Sequence, residues 1–309
     1  MLRWLSCLVF TTVLSVLGAL APVWSAPLIV TQVASGVFVH QGVHEEFGED
    51  YHGDIANISF VIGRDAVAVI DTGGSYLLGS ALRTAIRLRT NLPIRYVINT
   101  HVHSDHIFGN AAFEQDKPEF IGHHLLPRAM KLRAENYLAN LDIMLGAAAA
   151  GSRIVLPTRL VESEITLNLG GRKLILRAWP AAHTDHDLTV QDENSGTLWL
   201  GDLLFAERTP SIDGDLQGWL SVIKSLDKLK AGMVIPGHGA PGKDKQALLE
   251  KQRHYLQTLR DDLRQGIREG KSMTDTIEQA AQSEKDLWVL FEGVNLRNAT
   301  VLYPAMEWE

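Results

Sequence analysis

The stretch that most limits what this chain can fold into is "IRYVINTHVHSDH" (94–106), a short apolar β-branched run that meets His101, His103, Asp105 and His106. A buried core cannot bear these groups unpaired, because taking an imidazole or carboxylate out of water without a partner is costly. A polar surface loop, the simplest alternative, would be favoured by one histidine but not by H-x-H-x-D-H. The strand must therefore end at an open edge, where side chains leaving a rigidly held loop root can converge. Imidazole nitrogens and carboxylate oxygens are ligands suited to Zn²⁺ and similar divalent ions.

Four donors this close divide more naturally between two neighbouring metals than around one tetrahedral ion, so each metal needs completion from elsewhere. His183 after "LILRAWPA", Asp202 after "TLWLG" and His238 after "MVIPG" all follow apolar strands. The rest of the chain has the matching rhythm. "LIVTQVASGVFVHQG" and "ISFVIGRDAVAVIDTG" read as hairpins, the second turning at Gly63–Asp65. "YLLGSALRTAIRLRTN" has helical spacing, and residues 124–150 read as a helix with Pro127 near its first turn. "ITLNLGGRKLILRAWPA" and "DLTVQDENSGTLWLGDLLF" are paired strands about Gly-containing turns. Helices are expected at 216–230 and 244–268, with one or two more at the C-terminus. Each half opens with paired strands and moves on to helices, as a sheet–sheet sandwich flanked by helices would.

With 309 residues, 46% hydrophobic and 21% charged, the chain has the balance of a soluble globular protein. Its net charge of −7 argues against nucleic acid and against an anionic membrane surface as partners. The N-terminus, "MLRWLSCLVFTTVLSVLGALAPVWSAP", has the order of a secretory signal: Arg3, an apolar run to Ala21, then Pro22 and small residues. Val23 and Ser25 suit cleavage after Ser25, leaving a single domain over 26–309 that is periplasmic or secreted, without stable membrane insertion. A retained membrane anchor is the competing reading. The sole cysteine, Cys7, lies in this segment, so metal ligands must be His, Asp or Glu.

On "VIDTG", "THVHSDH" (100–106), "AAHTD" (181–185), "LGD" (200–202) and "PGHG" (236–239), the chain resembles the metallo-β-lactamase superfamily. The resemblance implies an α/β fold, a four-layer αββα sandwich with metals at one edge. It implies that His101, His103 and His183 hold one metal and Asp105, His106 and His238 a second, with Asp202 bridging. Asp71 would brace the histidine loop. Two divalent ions, zinc by the same resemblance, would activate a bridging water for hydrolysis of a small-molecule substrate, with Asp105 as the catalytic carboxylate.

Asp202 resembles the thioesterase and lactonase side of the family rather than the lactam-degrading side. "HTDHDLTV" departs from the H-T-x-G-H of glyoxalase-type thioesterases, with Asp187 where the second histidine would stand. The H-T-D-x-D pattern, "LWLGDLLF", "IDGDLQGWL" and the signal segment resemble exported zinc metallohydrolases associated with sulfur oxidation and quinoprotein dehydrogenase systems. That implies an ester-, thioester- or lactone-like bond and a link to a periplasmic dehydrogenase system. The alternatives are a mononuclear iron dioxygenase acting on sulfur substrates and a metal-binding accessory protein without turnover.

Other residues carry weaker signals. His186 and Asp187 either contact the pocket and His183 or are solvated loop residues. His44, Phe47 and His52 either overhang the metals or sit on the surface. His123 and His124 read as the start of a helix. Met130, Leu132, Leu138, Leu141 and Met144 form a core or lid face, and Trp179, Trp199 and Trp219 read as packing residues.

Overall fold

The structure, a computed structural model, describes residues 28–46, 51 and 53–308. The expected signal segment, Phe47 and His52 lie outside the described residues. The first hairpins pair antiparallel as β1 (Thr31–Ala34), β2 (Val37–His40), β3 (Ile58–Ile62) and β4 (Val67–Ile70). Gly36 takes the left-handed conformation (φ +67°) that the tight turn between β1 and β2 requires.

After β4 the chain crosses over through α1 (Tyr76–Arg87), whose Leu78 N–H donates to the Ser75 hydroxyl at 3.1 Å. The strands β5 (Ile94–Ile98), β6 (Glu119–His123) and β7 (Arg159–Val161) then add in parallel, completing a seven-stranded sheet in sequential order. Two helices lie between these strands and border the site, the short α2 (Ser104–Ile107) and the long α3 (Leu126–Leu145).

The second sheet contains β8 (Glu164–Asn168), β9 (Lys173–Ala178), β10 (Leu188–Asp192), β11 (Thr197–Phe205) and β12 (Met233–His238), in the order β12-β11-β10-β9-β8. Only β11 and β12 run parallel, joined by α4 (Leu216–Leu226). The helices α5 (Lys245–Arg268), α6 (Met273–Gln279) and α7 (Phe291–Met306) follow.

Alternation along the strands makes the layers. Val37, Val61, Ile70 and Ile98 face Leu174, Leu176, Val190 and Trp199 between the sheets. The i, i+4, i+8 stripe Leu78, Leu82 and Ile86 of α1 packs with Phe60, Val67 and Val97 on the outer face of the first sheet. Trp219 and Leu220 of α4, Leu256 and Leu259 of α5 and Leu302 of α7 pack with Leu198, Leu200 and Leu204 outside the second. The result is the four-layer αββα sandwich. Among the described residues, no helix is long and apolar enough to cross a membrane.

Four details differ from the sequence reading. His123 ends β6 and His124 lies in the turn after it, and the helix begins at Leu126 with Pro127 in its first turn. That helix stops at Gly146 (φ +50°), beyond which a 3₁₀ turn follows. Helix α4 ends at Leu226 rather than near 230, because the buried Lys245 ammonium donates to the Leu226 and Asp227 carbonyls at 2.7 and 2.8 Å. Asp202 lies inside β11 rather than beyond a strand. Gly201, at φ +52°, breaks the register with β12 there, and a Cβ on it would fall 2.7 Å from Thr100 Cβ.

Candidate metal centre

The parallel strands deliver the chemistry at their C-terminal ends, where an open α/β sheet leaves a crevice. Asp71 follows β4, His101 and His103 follow β5, and His238 ends β12. Opposite them stand Asp202 on β11 and His183 in the loop between β9 and β10. The seven side chains form two groups, His101, His103, His183 and Asp202 in one and Asp105, His106 and His238 in the other.

The spacing inside each group is that of a coordination shell. His103 Nδ1 lies 3.0 Å from His101 Nε2 and 3.1 Å from His183 Nε2. Asp202 Oδ2 lies 3.6 and 3.5 Å from those two Nε2 atoms. In the other group, His106 Nε2 and His238 Nε2 are each 3.5 Å from Asp105 Oδ2. Asp202 reaches this group as well, Oδ1 lying 3.2 Å from His106 Nε2 and Oδ2 3.2 Å from His238 Nε2. A tetrahedron with bonds of about 2.0–2.1 Å has edges near 3.3 Å, so both groups match a zinc-sized ion.

The tautomers point the same way. His101 Nδ1 lies 3.0 Å from Thr100 Oγ1, whose own hydroxyl donates to Asp71 Oδ2 at 2.7 Å, so the ring nitrogen is the donor. His106 Nδ1–H donates to Asp71 Oδ2 at 2.9 Å and His103 Nε2–H to Asp213 Oδ2 at 3.0 Å. His183 Nδ1–H donates to the Ser211 carbonyl at 2.8 Å and His238 Nδ1–H to the Ile55 carbonyl at 2.7 Å. With every outward nitrogen protonated, five imidazole lone pairs face inward. His106 Nε2 and Asp202 Oδ1, both buried, have no hydrogen-bond partner among the described residues. Lone pairs and carboxylate oxygens held this close repel unless cations lie among them, and this donor set fits two divalent ions.

Burial and charge prepare the same state. Burial raises the Asp202 carboxyl, but His238, His106 and His101 outweigh it and hold it well below the usual range. Asp105 is likewise lowered, against burial, by His106 and His238. Burial drives His183 down to about 3, with Trp219 and Phe205 against its ring at centroid distances of 5.2 and 5.7 Å. Burial also pushes His101 well below its ordinary value. At neutral pH the site thus presents two ionised carboxylates and neutral His101 and His183, whereas Asp202, Asp105 and Asp71 hold His106 well above its ordinary value against burial, a positive charge that a bound cation would replace.

A profile of the metallo-beta-lactamase superfamily matches residues 52–238. The chain belongs to that superfamily. Among solved structures, this superfamily member is similar to a metallo-beta-lactamase from Pontibacter korlensis, at 25% identity and TM-score 0.60 over 74% of this chain and 99% of that one. It shares its fold with TMB-1, at 20% identity and TM-score 0.58, covering 75% of this chain and 98% of that one. The fold also matches a double mutant of the sec-alkyl sulfatase PisA1, at 18% identity and TM-score 0.67, over 89% of this chain but only 50% of that one. A search of curated proteins finds no match.

The remaining sequence candidates fall around this centre. Asp71 braces the histidine loop directly, accepting from the Thr100 N–H at 2.8 Å as well as from Thr100 Oγ1 and His106. Asp187 accepts from Thr184 N and Oγ1 at 2.9 and 2.7 Å, fastening the turn that carries His183, and burial pushes its carboxyl up to about 8. His186 is buried beside Asp185, with Nε2 unpartnered among the described residues. His44 pairs with Glu207 at 3.1 Å. Leu141 and Met144 line the cavity over the centre, Met130 is buried beneath α3, and Leu132 and Leu138 are exposed.

Sequence reasoning missed Asp213 and Ser211, the partners of His103 and His183. It also missed the arginines of the cavity, Arg133, Arg208 and Arg297. The stretch "IDGDLQGWL" after β11, which contains Asp213 and directly follows Ser211, was the available signal for the first two. That loop is fastened from α7. Asn298 Oδ1 accepts from Ile212 N at 3.0 Å, Asn298 Nδ2 donates to the Pro210 carbonyl at 2.7 Å, and Arg297 donates to the Ile212 carbonyl at 3.0 Å.

Proposed function

We propose that the protein is an exported, binuclear metal-dependent hydrolase acting on an ester-, thioester- or lactone-like bond. The observation that carries this reading is the convergence of five imidazole lone pairs on two ionised carboxylates, with each outward ring nitrogen already satisfied. Five nitrogen and two carboxylate donors without a thiolate suit zinc. Two such ions would lower the pKa of water toward neutrality and polarise a carbonyl oxygen.

The chain's own groups do the rest. Asp105 lines the cavity, and its carboxylate is ionised and within reach of both His106 and His238. It accepts the proton of an attacking water and returns it to the leaving oxygen or sulfur. Asp213 and Asp71 hold three of the imidazoles in their ligating tautomers, Asp71 reaching His101 through Thr100. Phe205 and Trp219 keep water from the far side of His183. The cavity above, about 490 Å³, is of the size that takes a small molecule. The signal-like N-terminus supports export to the periplasm, and the "HTDHD" and "IDGDLQGWL" stretches support a place beside a quinoprotein or sulfur-oxidising system.

The test is turnover of aryl ester, thioester and lactone substrates by zinc-loaded protein and by Asp105→Asn. The variant is expected to lose about 10²- to 10⁴-fold in kcat while keeping its fold. Unchanged turnover in the variant would contradict the assignment of Asp105. Oxygen uptake by a one-iron form would replace hydrolysis with oxidation.

A further inference from the structure

The cavity lining mixes polar and apolar groups, and α3 brings Arg133, Asn136 and Asn140 as well as an apolar stripe. Along one side, Tyr137, Leu141, Met144 and Leu145 of α3 follow i, i+4, i+7, i+8 spacing and line it together. They belong to an apolar cluster of their own, separate from the cores beneath the sheets. From the C-terminal half of the chain come Arg208, after β11, and Arg297 of α7.

The acids of the cavity lining do not neutralise those two arginines. Asp105 and Asp202 stand among the ligating imidazoles, and Asp213 is taken by His103 and Arg133. Among the described residues the Arg208 guanidinium donates to the Glu45 carbonyl alone, at 3.3 Å, and that of Arg297 to Ser211 Oγ and the Ile212 carbonyl, at 3.2 and 3.0 Å. Among the described residues neither meets a carboxylate. A guanidinium has five donors in a planar fork that matches an oxyanion, so each keeps donors to offer.

We infer that the site takes an anionic amphiphile, with an aliphatic or aromatic body along α3 and an oxyanion end group, remote from the scissile bond, on Arg208 and Arg297. The inference rests on the hydrolytic reading for what becomes of the ligand, but recognition itself is independent of turnover. A small polar substrate would have no use for the α3 stripe, and a neutral one would leave the two guanidinium groups unmatched. Burying the body along α3 adds affinity with each methylene, whereas the arginines discriminate by charge.

The experiment is calorimetric binding of octanoate, octanamide and acetate to zinc-loaded protein and to Arg208→Met/Arg297→Met, with Arg297→Gln as a milder variant. Thermal melting and zinc content check that each variant is folded and loaded. Octanoate is expected to bind at least about tenfold more tightly than isosteric octanamide, the advantage falling to within about twofold in the double variant. Octanoate should also bind at least about tenfold more tightly than acetate, and Leu141→Ser should erode that preference. In unaltered protein, added salt should weaken octanoate but not octanamide.

If octanoate keeps its full advantage in the double variant, the carboxylate sits on the metals and the inference fails. Equal affinity for octanoate and octanamide overturns it as well. Arginine-dependent octanoate binding in a protein that hydrolyses no ester would instead retain the ligand class and remove the hydrolase.

Discussion

The two halves of the metal centre are held by different parts of the chain. His106 and His238 are fixed from the first sheet and its connections, by Asp71 after β4 and by the Ile55 carbonyl before β3. His103 and His183 are fixed by Asp213 and Ser211, in a loop that contributes to neither sheet. That loop owes its position to Asn298 and Arg297, which lie beyond the residues matched by the superfamily profile. His101 stands between the two arrangements, braced through Thr100 to Asp71. One half of the centre is thus part of the sandwich, whereas the other is completed by the C-terminal helix. Their metal affinities should be separable.

The sharpest division is expected from Asp213→Asn. The amide cannot accept charge-assisted hydrogen bonds as the carboxylate does, so the ion at His101, His103 and His183 should weaken by about 10- to 100-fold. Competition with a chromophoric chelator should show one metal leaving early and the other unchanged. Equal weakening of both would erase the distinction. Asn298→Ala acts one step further away, leaving the buried Ile212 N–H and Pro210 carbonyl without a partner. It should cost about 1–3 kcal/mol of stability in denaturant melts and weaken the same metal by less than Asp213→Asn does.

The smallest effect is a control for pH. Low pH protonates ligand histidines and also stresses the fold, and His123 isolates the second contribution. Burial first, then His124 and His186, hold His123 down at about 4 against its usual 6.5. The folded state therefore binds fewer protons than the unfolded chain between those values. Stability is full above about 6.5 and declines as pH falls toward about 4. After solvent screening the loss is on the order of 1 kcal/mol. His123→Gln should remove that slope from melts of the metal-free protein and leave metal content at neutral pH unaltered.

What could be read in advance follows from how local each signal is. His101, His103, Asp105 and His106 share one loop, and His183 and His238 carry strand-then-histidine signatures that need no knowledge of tertiary contacts. The layers followed from alternation and helical spacing for the same reason. Asp202 was legible as a residue type but not as part of β11, because the break at Gly201 depends on Thr100 from the other sheet. His123 was assigned to the wrong element because a five-residue strand stops only two residues before α3. Asn298 and the cavity arginines were illegible, and Asp213 had a local stretch but no readable role, since their meaning arises from contacts across 80 or more residues, as in the 110-residue separation between His103 and Asp213.

The central claim is that seven side chains from both sheets and their loops hold a pair of cations. Metal content of the purified protein, measured by mass spectrometry after zinc loading and exhaustive dialysis, tests it most directly. Two zinc ions per chain are expected, falling to one in Asp213→Asn under mild chelation. A single ion in the unaltered protein, or none, would contradict it.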